Sequence, residues 1–87
     1  MEMNILKSSK DEIELEIESV TIAEILRIYL NKDDDVSLAV WKREHPTKKP
    51  ILLVKTKGKT AKKAINDAVE KIDKDLDKIH EEFSKLK

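Results

Sequence analysis

Between Thr60 and the C-terminus the chain has neither glycine nor proline. Its apolar residues there (Ile65, Val69, Ile72, Leu76, Ile79, Phe83 and Leu86) follow one another at intervals of 4, 3, 4, 3, 4 and 3. That is an a/d seam kept over three heptads, and Thr60 is its natural N-cap. About 26 helical residues at 1.5 Å each span roughly 39 Å. A compact body of 87 residues has a radius of gyration near 12 Å, so a diameter of about 31 Å. The helix is expected to outrun the sheet it packs on while its apolar seam continues. Exposed seams of that kind mark partner sites.

The first 59 residues read as strands around one more helix. Residues 3–7 are β-capable, and residues 8–11 form a turn. Ile13, Leu15 and Ile17 then alternate with Glu12, Glu14, Glu16 and Glu18, which puts aliphatics on one face of a strand and carboxylates on the other, solvated, face. Thr21 and Glu24 have capping-box spacing. Ile22, Ile25, Leu26, Tyr29 and Leu30 follow as one helical stripe, which residues 31–35 end. Ile22, Ile28, Tyr29 and Leu30 reach further around this helix than one buried stripe requires. A third strand is expected with Val36, Leu38 and Val40 on one face and Ser37, Ala39 and Trp41 on the other. Pro46 and Pro50 bracket a loop. Residues 51–54 are continuously apolar and read as a central strand. The order is ββαββα: an α+β fold with a four-stranded antiparallel-type sheet, two helices packed on one face, and a single domain over residues 1–87.

Composition removes most chemistry. With no cysteine there is no disulfide scaffold, thiolate catalysis or cysteine zinc site. With one glycine, Gly58, there is no Walker A loop or dinucleotide fingerprint. Asp33, Asp34 and Asp35 could attract a hard cation, but consecutive side chains at a turn diverge and lack the EF-hand spacing. His45 and His80 have no partner at a useful spacing. No catalytic residue, metal or cofactor is therefore assigned. No run of apolar residues is long enough for a membrane span or a signal segment, so a cytoplasmic location is expected. Two helices with apolar surface to spare describe a pairing interface: Ile22, Ile25, Leu26 and Tyr29 on the first, and Ile65, Val69, Ile72, Leu76, Ile79, Phe83 and Leu86 on the second. The lone tryptophan, Trp41, reads as a subunit contact.

Eighteen basic and eighteen acidic residues cancel, yet they are unevenly placed. Residues 11–35 hold nine acids against Arg27 and Lys32. Residues 45–66 hold Lys48, Lys49, Lys55, Lys57, Lys59, Lys62 and Lys63 and no acid. A basic stretch over 48–63 can contact phosphates, but it lacks interleaved aromatics for base stacking. A stand-alone nucleic-acid-binding module using that stretch remains the alternative to a pairing domain.

Several motifs together resemble archaeal RNA polymerase subunit L, a family related to the eleventh subunit of eukaryotic RNA polymerase II and to the dimerisation part of the bacterial alpha subunit. The resemblance begins with Met-Glu-x-x-Ile-Leu-Lys at residues 1–7 and the Ile/Leu–Glu alternation. It continues through the helix motif Val20-Thr21-Ile22-Ala23-Glu24-Ile25-Leu26-Arg27, where the family has His and Asn in place of Val20 and Glu24. Val36-Ser37-Leu38-Ala39-Val40-Trp41 and His45-Pro46 match the next strand and its exit, with Leu38 where the family has an aromatic. Ala64 and Ala68 match an alanine spacing in the last helix. The resemblance implies a non-catalytic polymerase subunit that forms a heterodimer with the D subunit of RNA polymerase, as an assembly platform for the large subunits. DNA would then be met only indirectly, through the complex. A homodimer in isolation stays open.

Overall fold

The computed structural model describes residues 3–85; the initial Met-Glu of the sequence motif, and Leu86, lie outside them. Its elements are β1 (Met3–Ser8), β2 (Glu12–Ile17), α1 (Val20–Asn31), β3 (Val36–Lys42), β4 (Ile51–Thr56) and α2 (Ala61–Lys85). The four strands form one antiparallel sheet in the order β1-β2-β4-β3. The ββαββα order, the single sheet and the long last helix match the expected fold class, and the apolar strand β4 is central. Both helices contribute their buried side chains to the core on one face of the sheet.

Cross-strand rows build that core. Ile13 pairs with Val54 and Val54 with Ala39, while Leu15 pairs with Leu52 and Leu52 with Trp41. Leu26 and Leu30 from α1, and Ala61, Ala64, Ile65 and Ala68 from α2, close over these rows. The three alanines bring the α2 backbone near the sheet with no bulky side chain between. The other face carries Glu14, Leu53 and Val40 in one row and Glu16, Ile51 and Lys42 in the next, which is the charged and solvated side expected for the glutamates.

Two local readings are corrected. Ser37 lies at a register shift between Val36 and Leu38, and a bulge of one residue reverses which side chains face inward. Val36, Ala39 and Trp41 therefore pack on the core side, and Val40 lies on the open face at 43% exposure. The α1 N-cap is Ser19, not Thr21. The Ser19 backbone is extended, and its hydroxyl accepts from the Ile22 N–H at 3.2 Å. Thr21 already lies inside the helix, so its capping box does not form. At the start of α2 the expectation holds, with the Lys63 N–H donating to Thr60 Oγ1 at 3.2 Å.

Helix length against sheet length sets the shape. The 25 residues of α2 extend about 38 Å, whereas strands of 6–7 residues reach only about 20–23 Å. The radius of gyration is 14.1 Å and the longest dimension 45 Å, larger than a compact chain would have. The buried residues of α2 all lie between Ala61 and Ala68.

The cap assignment gives the first prediction. Ser19→Ala should destabilise the protein by about 1 kcal/mol, lowering Tm by roughly 4–8 °C. Thr21→Ala should move it much less. Thermal unfolding followed by circular dichroism compares the two.

Candidate partner-binding surface

Large exposed apolar side chains lie along α2 and α1, besides Ile5 and Leu6 on β1 and Val40 on β3. Beyond Ile72 nothing on the described part of α2 is buried, yet the seam continues with Leu76, Ile79 and Phe83 at 57%, 62% and 65% exposure. Ile22, Ile25, Ile72, Asp73 and Leu76 line a groove of about 190 Å³ between α1 and α2, floored by Leu26. Ile25 and Ile28 add exposed aliphatic surface on α1. The groove side chains and the α2 seam beyond them are the exposed apolar positions that the two helices offer.

The residues expected at the interface divide into three groups. Ile25, Leu76, Ile79 and Phe83 are exposed. Ile22, Tyr29, Val69 and Ile72 are partly buried, packed against the core with one side still open. Leu26 and Ile65 need correction: both are buried in the chain's own core, and Leu26 has no exposed surface at all. Periodicity marks which residues share a stripe, but not where along it the sheet ends.

Polar contacts hold the two helices in this arrangement. The Tyr29 hydroxyl donates to Asp75 Oδ2 at 2.6 Å, joining α1 to α2; that acceptor, with some burial, raises the tyrosine pKa. Glu24 accepts from Arg27 Nε at 2.6 Å and Nη2 at 2.9 Å, and from the Trp41 indole N–H at 3.0 Å. The guanidinium first, and then the indole, hold the Glu24 carboxyl down at about 2. Trp41 thus has its one donor satisfied within the chain and tethers β3 to α1, rather than standing free as a subunit anchor.

The basic stretch meets the acidic one. Lys59 Nζ lies 2.5 Å from Asp33 and 2.6 Å from Asp67, with its side chain only 17% exposed. Lys63 also reaches Asp67, and Lys55 reaches Glu12. Asp33 in addition accepts from the Asp35 N–H at 2.9 Å, closing the turn after α1. Three of the seven lysines in the candidate nucleic-acid stretch are therefore matched by carboxylates. This clasp was invisible at the level of spacing, since 33, 59 and 67 share no periodicity; the opposite charge of the two halves was its only signal. Among the described residues, no group of three or more histidines, aspartates or glutamates is placed to hold a metal ion. Nor is any helix among them long and apolar enough to cross a membrane.

Comparison with known proteins agrees with this geometry. The model of the RNA polymerase Rpb3/Rpb11 dimerisation domain matches residues 10–82. The chain belongs to that family. It is 33% identical to the DNA-directed RNA polymerase subunit Rpo11 of Methanosarcina barkeri, over 98% of this chain and 96% of the relative. It is also 33% identical to the Rpo11 subunit of Sulfurisphaera tokodaii, over 99% and 97%. The crystal structure of DNA-directed RNA polymerase subunit L from Thermoplasma acidophilum superposes with a TM-score of 0.85 at 26% identity, covering 97% of this chain and 86% of that one.

The clasp gives a pH prediction. Lys59 holds the Asp33 and Asp67 carboxyls below the ordinary 3.8, and the two carboxylates raise the Lys59 ammonium above its ordinary 10.5. The carboxylate contribution is therefore present above about pH 4 and lost as the pH falls through the lowered folded values. The lysine contribution is present below its unfolded value and lost only as the pH rises through the raised one. Lys59→Met should cost about 1 kcal/mol at neutral pH, and that difference should shrink towards about pH 2.5. Urea unfolding of both proteins at the two pH values measures it, and an equal gap would mean that charge contributes nothing there.

Proposed function

We propose that this chain is a non-catalytic subunit of an archaeal DNA-directed RNA polymerase. It pairs with the polymerase's D subunit to form a heterodimeric platform on which the large subunits assemble. Residues 1–87 act as one pairing domain, in the cytoplasm, without a cofactor. The observation that carries the reading is the exposed seam at Leu76, Ile79 and Phe83 on a helix that outruns its own sheet. Membership of a dimerisation family supports it. The pairing surface is the band of Ile22, Ile25, Tyr29, Val69, Ile72, Leu76, Ile79 and Phe83, with Leu86 continuing its spacing.

Burial of each large aliphatic or aromatic side chain against a partner contributes about 1.5–3 kcal/mol, so burial of most of the band is needed to exceed an association cost of about 4–15 kcal/mol. A buried charge without a partner costs more than that gain. Ile79→Asp should therefore abolish co-purification with the D subunit. Because Ile79 touches little of its own chain, the circular dichroism spectrum should keep its sheet and most of its helix. Retained pairing by a folded Ile79→Asp protein would remove the physical basis of this reading.

The lysine stretch supports the same reading over a stand-alone nucleic-acid module, because Lys55, Lys59 and Lys63 are paired with carboxylates. DNA binding by the isolated protein should be weak and vanish at moderate salt. Submicromolar binding at physiological salt, weakened by charge reversal at Lys48 and Lys49, would favour the module instead.

A further inference from the structure

The far half of α2 is tied to the rest of the chain at one polar contact. Ile72 is the last residue of the helix packed against the core, and the described residues from Asp73 to Lys85 are all exposed. Leu76 borders the groove against α1 but keeps 57% of its surface open. Among the described residues, the one hydrogen bond or ion pair from this half to another element runs from the Tyr29 hydroxyl to Asp75 Oδ2, at 2.6 Å. Its donor stands on a fixed base. Leu26 and Leu30, beside Tyr29 on α1, have no exposed surface. Asn31 Nδ2 donates to the Ala39 carbonyl at 3.3 Å, and Glu24 accepts from Trp41, so α1 is fastened to β3 at both ends. The Lys32 ammonium lies 5.2 Å from the centre of the Tyr29 ring. Phe83 lies about 12 Å further along the helix than Asp75, so a swing of about 10° at Asp75 moves Phe83 by about 2 Å. A helical end of about ten residues is also too short to be stable alone in water, and depends on its anchor.

We infer that the hydrogen bond between Tyr29 and Asp75 is a latch that aims the projecting end of α2 before a partner arrives, making Tyr29 a positioning residue for Leu76, Ile79 and Phe83. The inference rests on the pairing reading above and deepens it by naming what sets the direction of the seam. Apolar burial supplies attraction without direction, whereas an end already aimed spares the partner the cost of ordering it. A hydrogen bond to a carboxylate favours the arrangement that makes it by about tenfold. Apparent affinity falls with the fraction of molecules in the competent arrangement, so removing the bond should weaken pairing by about three- to tenfold. The core should be unaffected, because Asp75 is exposed and the Tyr29 ring stays in place when only its hydroxyl is removed.

The direction of the helix end is measured first, without a partner. The chain has no cysteine, so spin labels attach only at Lys42→Cys on β3 and Glu81→Cys on α2, both exposed positions. Pulsed electron paramagnetic resonance should give a narrow distribution of distances between them. Tyr29→Phe and Asp75→Ala should each broaden it, and the two together no further than one alone. Asp75→Asn keeps an acceptor oxygen for the hydroxyl and should preserve the narrow distribution. Alanine favours helix more than aspartate does, so a looser end in Asp75→Ala does not come from lost helix propensity. Calorimetric titration with the polymerase's D subunit follows, on unlabelled proteins that circular dichroism shows to be folded. Each single change should weaken binding by about three- to tenfold, the double change should add no further loss, and Asp75→Asn should bind within about twofold of the parent. A loss with Tyr29→Phe but none with Asp75→Ala would mean that the hydroxyl meets the partner directly, and would overturn the latch. Distances that neither change moves would overturn it too, as would broadened distances with unchanged affinity. Failure of the parent itself to bind the D subunit would instead overturn the pairing reading, and the distances alone would then decide whether the latch holds the helix end.

Discussion

Ala61, Ala64 and Ala68 let α2 lie close on the sheet, and the rest of the structure follows from where that contact stops. A small side chain every three or four residues brings the helix backbone near β2 and β4, and Ile65 completes the seal. The sheet is only 6–7 residues long, so its cover is complete within about two and a half turns of helix. Beyond Ile72 the same seam faces outward, with larger side chains. One continuous hydrophobic stripe thus serves two purposes: its first third closes the chain's own core, and its remainder offers surface to another molecule.

The polar contacts around this core fix the relative placement of elements that apolar packing alone would leave free to slide. Glu24 joins α1 to β3 through Trp41, and Tyr29 joins α1 to α2 through Asp75. Lys59 holds the turn after α1 against the beginning of α2 through Asp33 and Asp67. Each joins two different elements, and each lies near the rim of the apolar layer, where water still reaches the charged groups. A domain of this size has a modest core, so the orientation of its two helices, and with it the shape of the pairing groove, depends on such contacts.

Much of this was legible beforehand. The Ile13, Leu15 and Ile17 alternation identified the inner face of β2, the 4-3 spacing identified the seam of α2, and unbroken apolarity identified β4 as the central strand. The Ser37 bulge was not legible, because a register shift depends on the partner strand and leaves no mark on periodicity; Val36, Leu38 and Val40 look like one face and are not. The cap moved from Thr21 to Ser19 because two hydroxyl residues stood near the helix start, and only the backbone conformation decides which lies outside it. Leu26 and Ile65 belong to the core and Leu76 to the surface, although all three sit on equally regular stripes.

Element order, the two apolar stripes, the absence of thiol chemistry and the excess length of the last helix are all readable in the chain before it folds. These are local properties, written in spacing and composition. How much of each stripe is consumed internally, and which lysines are neutralised, came only with the tertiary arrangement. Those outcomes depend on distances between residues far apart in the chain, and burial and charge pairing take their values only once the strands and helices have been set against one another.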